Sequence, residues 1–482
     1  MGSRKAAPQD KKLKTKKIAL KASSVFDVVV IGGGSAGIAA LEGARAAGIK
    51  NICLIESDSV LGGECTRWAC VPTKAMLKAA KLYHLAKYHV GRYGIHTGRV
   101  TYSFSSILHR RDAVISTLTG HGKRLLDYAK QLKVTVKHGE AKFIDEGLVE
   151  LKGERIRAKA FVIATGSRER EPVIAGLEET PVWYSRDVVA MKSLPSSVAI
   201  VGAGPVGSEF ATLFGLLGVQ TTLLEAGEQI LPREDAELAA LAEASLRHQG
   251  VHVLTKTKTL GLKTHGRRTQ ITFQVGRKPR QTLLVDHVII ATGRRANVDH
   301  LALEQAKVKL DDRGRLILSP ALQTSAAHIF AAGDVTARYQ FTHTAHHEGY
   351  IAGWNAAQVK LGGHQLEREE RVVPRITFVD PEVSSAGMTL FEASKAKLKF
   401  RVYRCPLSIL GRAAIDGNRD GLLKVIVETK TGQILGAHVT GERAGEIMHE
   451  LALAMYAKIP FATVQSMLHA YPSWSEAIPA AE

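Results

Sequence analysis

Twice in this chain an apolar strand runs into a glycine-rich turn, a helix-prone stretch, a second strand and then an acid. The first copy is Val28-Val29-Val30-Ile31, then Gly32, Gly34 and Gly37, a helical pattern from Ile38 to Ala47, strand Ile52 to Ile55, and Glu56. The second is Val198 to Val201, then Gly202, Gly204 and Gly207, a helix over 208–217, strand Thr221 to Leu224, and Glu225. Continuous apolar strands of this kind predict parallel sheets buried on both faces. The glycines allow a tight turn and a close approach to a pyrophosphate, whose charge rests at the helix N-terminus. Each acid is placed to hydrogen-bond a ribose. Two such fingerprints predict two dinucleotides, or one dinucleotide and a flavin. Glu225 would repel a 2′-phosphate and so favours NADH, with NADPH admitted because Arg233 is close enough in sequence to compensate.

Between the two copies lies Gly62-Gly63-Glu64-Cys65-Thr66-Arg67-Trp68-Ala69-Cys70-Val71-Pro72-Thr73-Lys74. The chain's other cysteines are Cys53, inside a predicted strand, and Cys405. A lone pair cannot close a tetrahedral zinc site, so no metal site is expected. Cys65 and Cys70 are either two buried thiols or a small disulfide ring able to cycle with a dithiol. So few cysteines in 482 residues is not a secreted disulfide framework, and a cytoplasmic setting is expected.

The length suggests about three domains. No apolar run reaches the ~18 residues of a membrane span, and the N-terminus lacks the apolar core of a signal peptide. The net charge is +19, part of it from residues 1–24, where Arg4, Lys5, Lys11, Lys12, Lys14, Lys16, Lys17 and Lys21 face only Asp10. A solvated, disordered tail is expected there, with no specific nucleic-acid partner. Further along, a helix is expected from Lys74 to Leu85, mostly helical sequence over 102–131, and short strands over 134–151. Strands over 161–164 and 288–291 each run into a Thr-Gly turn, Thr165-Gly166 and Thr292-Gly293. Residues 254–284 read as an exposed antiparallel hairpin, and strand 329–332 leads into Gly333-Asp334. Past residue 363, strands at 372–378, 400–404, 422–428 and 434–438 and helices near 442–457 and 461–468 predict an α+β domain. The sequence closes with His469-Ala470-Tyr471-Pro472-Ser473-Trp474-Ser475-Glu476.

In this order, over roughly residues 25–480, these motifs resemble the pyridine nucleotide-disulfide oxidoreductases, the flavoprotein family of dihydrolipoamide dehydrogenase, glutathione reductase and mercuric reductase. The resemblance implies an α/β fold with two Rossmann-like domains and an α+β dimerisation domain. The FAD-binding domain would comprise 25–170 and 294–365, the NAD-binding domain 171–293 and the dimerisation domain 366–482. Gly32, Gly34, Gly37, Glu56 and Asp334 would hold FAD, and Gly202, Gly204, Gly207 and Glu225 would hold NADH. Gly63, Thr165, Gly166, Gly293 and Gly333 would shape the turns around them. Cys70 would lie beside the flavin and Cys65 would exchange with substrate. Lys74 and Glu209 would pair near the flavin ring. Tyr471 and Glu476 would reach the other subunit's site in a homodimer.

One position departs from the pattern. Disulfide-reducing members carry a histidine before that proline, oriented by the glutamate, as the acid/base for the leaving thiolate. Here the residue is Tyr471, whose phenol, with an ordinary pKa of about 10, is a poor base near pH 7. His469 is a candidate substitute. Trp68 and Ala69 also differ from the usual residues between the cysteines; Trp68 either packs on the flavin domain or lids the exchange sulfur. Two activities follow. One is a dihydrolipoamide dehydrogenase-like oxidoreductase passing electrons from NADH via FAD and dithiol to a small-molecule acceptor. The other is an NADH-dependent reductase of quinones, dyes or metal ions with no disulfide substrate. Mercuric reductase itself is disfavoured, for want of a metal-binding N-terminal domain and a C-terminal cysteine pair.

Overall fold

The structure, a computed structural model, describes residues 21–482. The basic tail expected over 1–24 lies outside the described residues except at its end. There the first strand, Lys21–Ile31, begins earlier than the apolar run, with Ser24 in register with Ile156. A backbone ladder continues past the apolar stretch wherever its partner strand does.

Strands Thr135–His138, Ile52–Glu56, Lys21–Ile31 and Glu154–Ile163 lie side by side and parallel, and Ile329–Ala331 also pairs in parallel with Glu154–Ile163. The hairpin Lys142–Asp145 and Leu148–Leu151 joins this sheet antiparallel. Alternate residues of the first strand serve two cores: Val29 and Ile31 on one face, Val28 and Val30 on the other. That is why the strand reads as one unbroken apolar run.

The second sheet repeats the plan: His252–Leu254, Gln220–Leu224, Ser197–Val201 and His287–Ile290, all parallel. Against it lies an antiparallel sheet of three strands, Thr257–His265, Arg268–Val275 and Gln281–Val285, where a two-stranded exposed hairpin was expected. Leu262, Ile271, Phe273 and Val285 bury one face of it on the parallel sheet, and its charged residues cluster at the turns. The chain leaves the first unit through Ser167–Glu169 and returns through Arg294–Ala296, which pair antiparallel. The C-terminal unit is a five-stranded antiparallel sheet with helices Ala444–Tyr456 and Phe461–Ser466.

One long helix, Thr342–Leu361, crosses helix Ser35–Ala46 with the two backbones in contact. A Cβ at Gly349 or Gly353 would drive into the carbonyls of Ala36 or Ala40, and one at Gly43 into that of Tyr350. No helix among the described residues is long and apolar enough to cross a membrane.

Candidate active site

The two glycine turns are built alike. A Cβ at Gly37 would strike the carbonyl oxygen of Gly32, and one at Gly207 that of Gly202, so each helix can start only if those positions are glycine. Gly32 and Gly202 take φ +107° and +100°, the region where glycine alone is unstrained. Gly204 faces open space, and Gly34 meets only the Cα of Gly63. The acids brace these turns. Glu56 Oε2 accepts from the Gly33 amide at 2.7 Å, and Glu225 Oε2 from the Ala203 amide at 2.8 Å.

A cavity of about 420 Å³ runs from the first turn to the cysteines. Its lining includes Gly34, Glu56, Gly63, Thr165, Gly166 and Asp334 from the first unit, and Val206, Glu209 and Phe210 from the helix after the second turn. Cys65 sits on the short helix Gly63–Arg67. Cys70 opens the helix Cys70–Tyr88, which starts a turn before its expected first residue, Lys74. Pro72 is tolerated there because amides of a helix's first turn have no partner within the helix. The two sulfurs are free thiols in this structure. Both meet one hydroxyl: Thr342 Oγ1 donates to Cys65 Sγ at 2.9 Å and lies 3.8 Å from Cys70 Sγ. Lys74, one turn along the Cys70 helix, holds Glu209 Oε2 at 2.6 Å. Glu209 also accepts from the Phe378 amide at 3.1 Å.

These contacts separate the two thiols. The hydrogen bond from Cys65 chiefly lowers the Cys70 thiol to about 6; burial opposes this, while Lys74 and Thr342 add to it. Cys65 is pushed up by that same bond and by burial. The negative charge of a singly deprotonated pair therefore sits on Cys70.

Asp334 is raised by burial, against the 2.6 Å hydrogen bond from Ser167 and the charge of Arg294. Arg294 donates to Ser167 Oγ at 2.7 Å and pairs with Glu64. The amide of Gly333 donates to Glu348 Oε2 at 2.7 Å, a carboxyl that burial raises to about 8. Gly293 accepts from the Arg170 amide at 2.9 Å. The guanidinium groups of Arg67 and Arg186 both lie over the Trp68 ring, at 4.6 and 4.3 Å from its centroid, an arrangement neither expectation for it described.

Sequence reasoning named neither Thr342, Ser167 nor Glu348, and placed Arg294 only at a domain edge. A polar residue at the start of a helix following Gly333-Asp334 was the available signal for Thr342.

Three residues named as catalytic candidates do not line this cavity within one chain, nor do Gly37, Gly202, Gly204, Gly207, Glu225, Gly293 and Gly333 among the cofactor candidates. Tyr471 is exposed, its ring against Gly411, and joins Pro472 by a cis peptide. Glu476 Oε2 accepts from the Ser473 amide at 2.9 Å and so caps its own turn. His469 Nε2 meets Glu450 Oε1 at 2.9 Å and Nδ1 meets Met467 O at 3.0 Å in its own chain.

A cavity that runs from one nucleotide-type turn to a close cysteine pair, with the helix after a second such turn in its wall, defines a flavin- and nicotinamide-dependent oxidoreductase. The chain belongs to the pyridine nucleotide-disulphide oxidoreductases: that family matches residues 26–349 and its dimerisation domain residues 373–482. It is 31% identical to the mitochondrial dihydrolipoyl dehydrogenase of Pisum sativum, over 94% of this chain and 90% of that protein. It is 30% identical to the mercuric reductase of Staphylococcus aureus, over 89% and 77%. Among solved structures, the HOCl-induced flavoprotein disulfide reductase RclA from Escherichia coli matches with a TM-score of 0.82 at 28% identity, over 94% and 98% of the two chains. RclA also matches as a Cu(II) complex, with a TM-score of 0.81 at 27% identity, over 95% and 98%.

The first turn fits FAD on its own geometry. Gly34 and Gly63 pack backbone on backbone, a Cβ on Gly63 falling 2.9 Å from the Gly34 Cα, so no side chain covers the turn, and the helix behind offers free amides to a pyrophosphate.

Proposed function

We propose that this chain takes electrons from NADH and delivers them, through FAD and the Cys65–Cys70 dithiol, to an acceptor that has no thiolate leaving group to protonate: a metal ion or a quinone. The observation that carries the path is the meeting of both sulfurs with Thr342 in the cavity lined by the first glycine turn, beside the Lys74–Glu209 pair. Bound FAD would supply the two-electron link between nicotinamide and sulfur. Gly32, Gly34, Gly37, Glu56 and Asp334 would hold it. Gly202, Gly204, Gly207 and Glu225 would hold the nicotinamide dinucleotide, the acid favouring NADH.

Cys70 carries the thiolate and Cys65 the proton until the acceptor arrives. Closing the disulfide releases two electrons and the one remaining proton, enough to reduce two Cu(II) to Cu(I) or, with a second proton from solvent, one quinone to its hydroquinone. Tyr471 supports such an acceptor, because a phenol cannot cycle a proton near pH 7 as imidazole does. The mercuric reductase relatives and the Cu(II) complex of RclA support a metal ion. The dimerisation domain supports a homodimer that carries Tyr471 to a second copy's cavity, and a thiol pair that must cycle suits a reducing, cytoplasmic setting.

Steady-state turnover with lipoamide, Cu(II) and a small quinone tests the choice of acceptor, in wild type and Tyr471→His. Wild type should favour Cu(II) or quinone over lipoamide, and histidine should raise lipoamide turnover by about 100-fold. Fast lipoamide turnover in wild type, unchanged by histidine, would return the chain to disulfide reduction.

A further inference from the structure

Disulfide-reducing members use a histidine to hold their exchange sulfur, and this chain puts a tyrosine at that place. The sulfurs are not left without a partner. Thr342 is the first residue of the helix Thr342–Leu361, and its hydroxyl lies 2.9 Å from Cys65 Sγ and 3.8 Å from Cys70 Sγ. Its position is fixed from behind, because Gly349 and Gly353 on the same helix lie against the carbonyls of Ala36 and Ala40. Cys65 also hydrogen-bonds Cys70 directly, and the other groups acting on the pair are the ammonium of Lys74 and the carboxylate of Glu209, which hold each other. His343, next in the chain, is engaged with the backbone of Pro374 and faces His449.

We propose that the Thr342 hydroxyl sets which of the two cysteines is the nucleophile, acting as the bridge that holds both sulfurs while a proton passes between them. A hydroxyl has one proton to donate and lone pairs to accept with. The Cys65 proton passes along its own hydrogen bond to the Cys70 thiolate, and the Thr342 hydroxyl, still donating, holds the charge left on Cys65. Cys65 is then the thiolate, Cys70 the thiol, and the net charge is unchanged. The bridge thus readies Cys65 for attack without an imidazole. It rests on the dithiol pathway proposed above.

The test uses flavin-loaded enzyme reduced anaerobically with one equivalent of NADH. Two quantities are followed: the pH at which the long-wavelength thiolate-to-flavin band is half-formed, and the rate of Cys65 alkylation by iodoacetamide, located by peptide mass. Thr342→Val should raise the band midpoint by about one pH unit, since it removes a hydrogen bond to a charged group. It should also slow Cys65 alkylation at pH 7 by about tenfold. Thr342→Ser should keep both within about threefold of wild type, because the hydroxyl is retained. Thr342→Val matching wild type in both readouts overturns the proposal. If valine costs the protein its flavin, Thr342→Ala is held to the same criterion. A wild-type enzyme that forms neither band nor dithiol with NADH would overturn the dithiol pathway and the bridge with it, an outcome that no result on the Thr342 variants can mimic.

Discussion

Around the cysteines, one cation sets the balance of charge. Lys74 neutralises Glu209, lies 4.8 Å above the Phe378 ring and draws negative charge onto Cys70. Removing a cation beside an acid favours its protonated form. Lys74→Met should therefore raise the titration of the Cys70 thiolate from about 6 by about one unit or more, followed by ultraviolet thiolate absorbance. It also leaves Glu209 buried with only the Phe378 amide as donor. Lys74 and Glu209 could be named from the sequence because each sits at a fixed offset from a motif. For Thr342 the sequence offers only a polar residue shortly after Gly333-Asp334, and nothing short of the folded chain brings residue 342 to residues 65 and 70.

At the scale of elements, the crossing of Ser35–Ala46 with Thr342–Leu361 fixes the distance between the first glycine turn and the sulfurs. Its glycines leave no room for a methyl group. Gly353→Ala should force the helices apart at a cost of about 1–3 kcal/mol, read as a lower thermal midpoint and a lower ratio of bound flavin to protein. The long helix escaped sequence reasoning because residues on several of its faces, among them Ala345, Glu348, Ile351, Ala352 and Asn355, are buried, so no apolar stripe marks it. The strand Glu382–Gly387 was missed for a related reason: Ser384 and Ser385 are fully buried polar residues in it. The parallel strands were readable, since burial on both faces writes itself into an unbroken apolar run.

For the whole molecule, the middle unit is locked to the C-terminal one by buried charge. Lys424, 1% exposed, donates to Asp235 at 2.8 Å and to Glu237 at 2.7 Å, and Arg375 holds Glu234 at 2.7 Å. Lys424→Met would strand Asp235 without its cation and should cost about 3 kcal/mol or more, measured as a lower urea midpoint. The pH dependence has a definite sign. Burial raises Asp235, but its bonds to Lys424 and the Leu390 amide, with the charges of His438 and Lys424, together outweigh that and lower it, and Arg404 then Lys424 bring Glu237 down to about 2. Depressed carboxylates contribute stability above their unfolded pKa and lose it as pH falls through the folded value. Acid should therefore weaken wild type progressively below about pH 4, and the Met variant on a shallower slope.

The chain departs for the second nucleotide turn along Ser167–Glu169 and comes home along Arg294–Ala296, two strands lying side by side. The middle unit is thus joined in sequence to its host by two strands, and clamped there by a core in which Met76, Leu77 and Leu108 pack among Val198, Phe210 and Leu213. On the roles proposed above, a trade of this unit for another would change the electron donor and leave Cys65 and Cys70 in place. The trade must keep the acids at 234, 235 and 237, which Arg375 and Lys424 await on the far side.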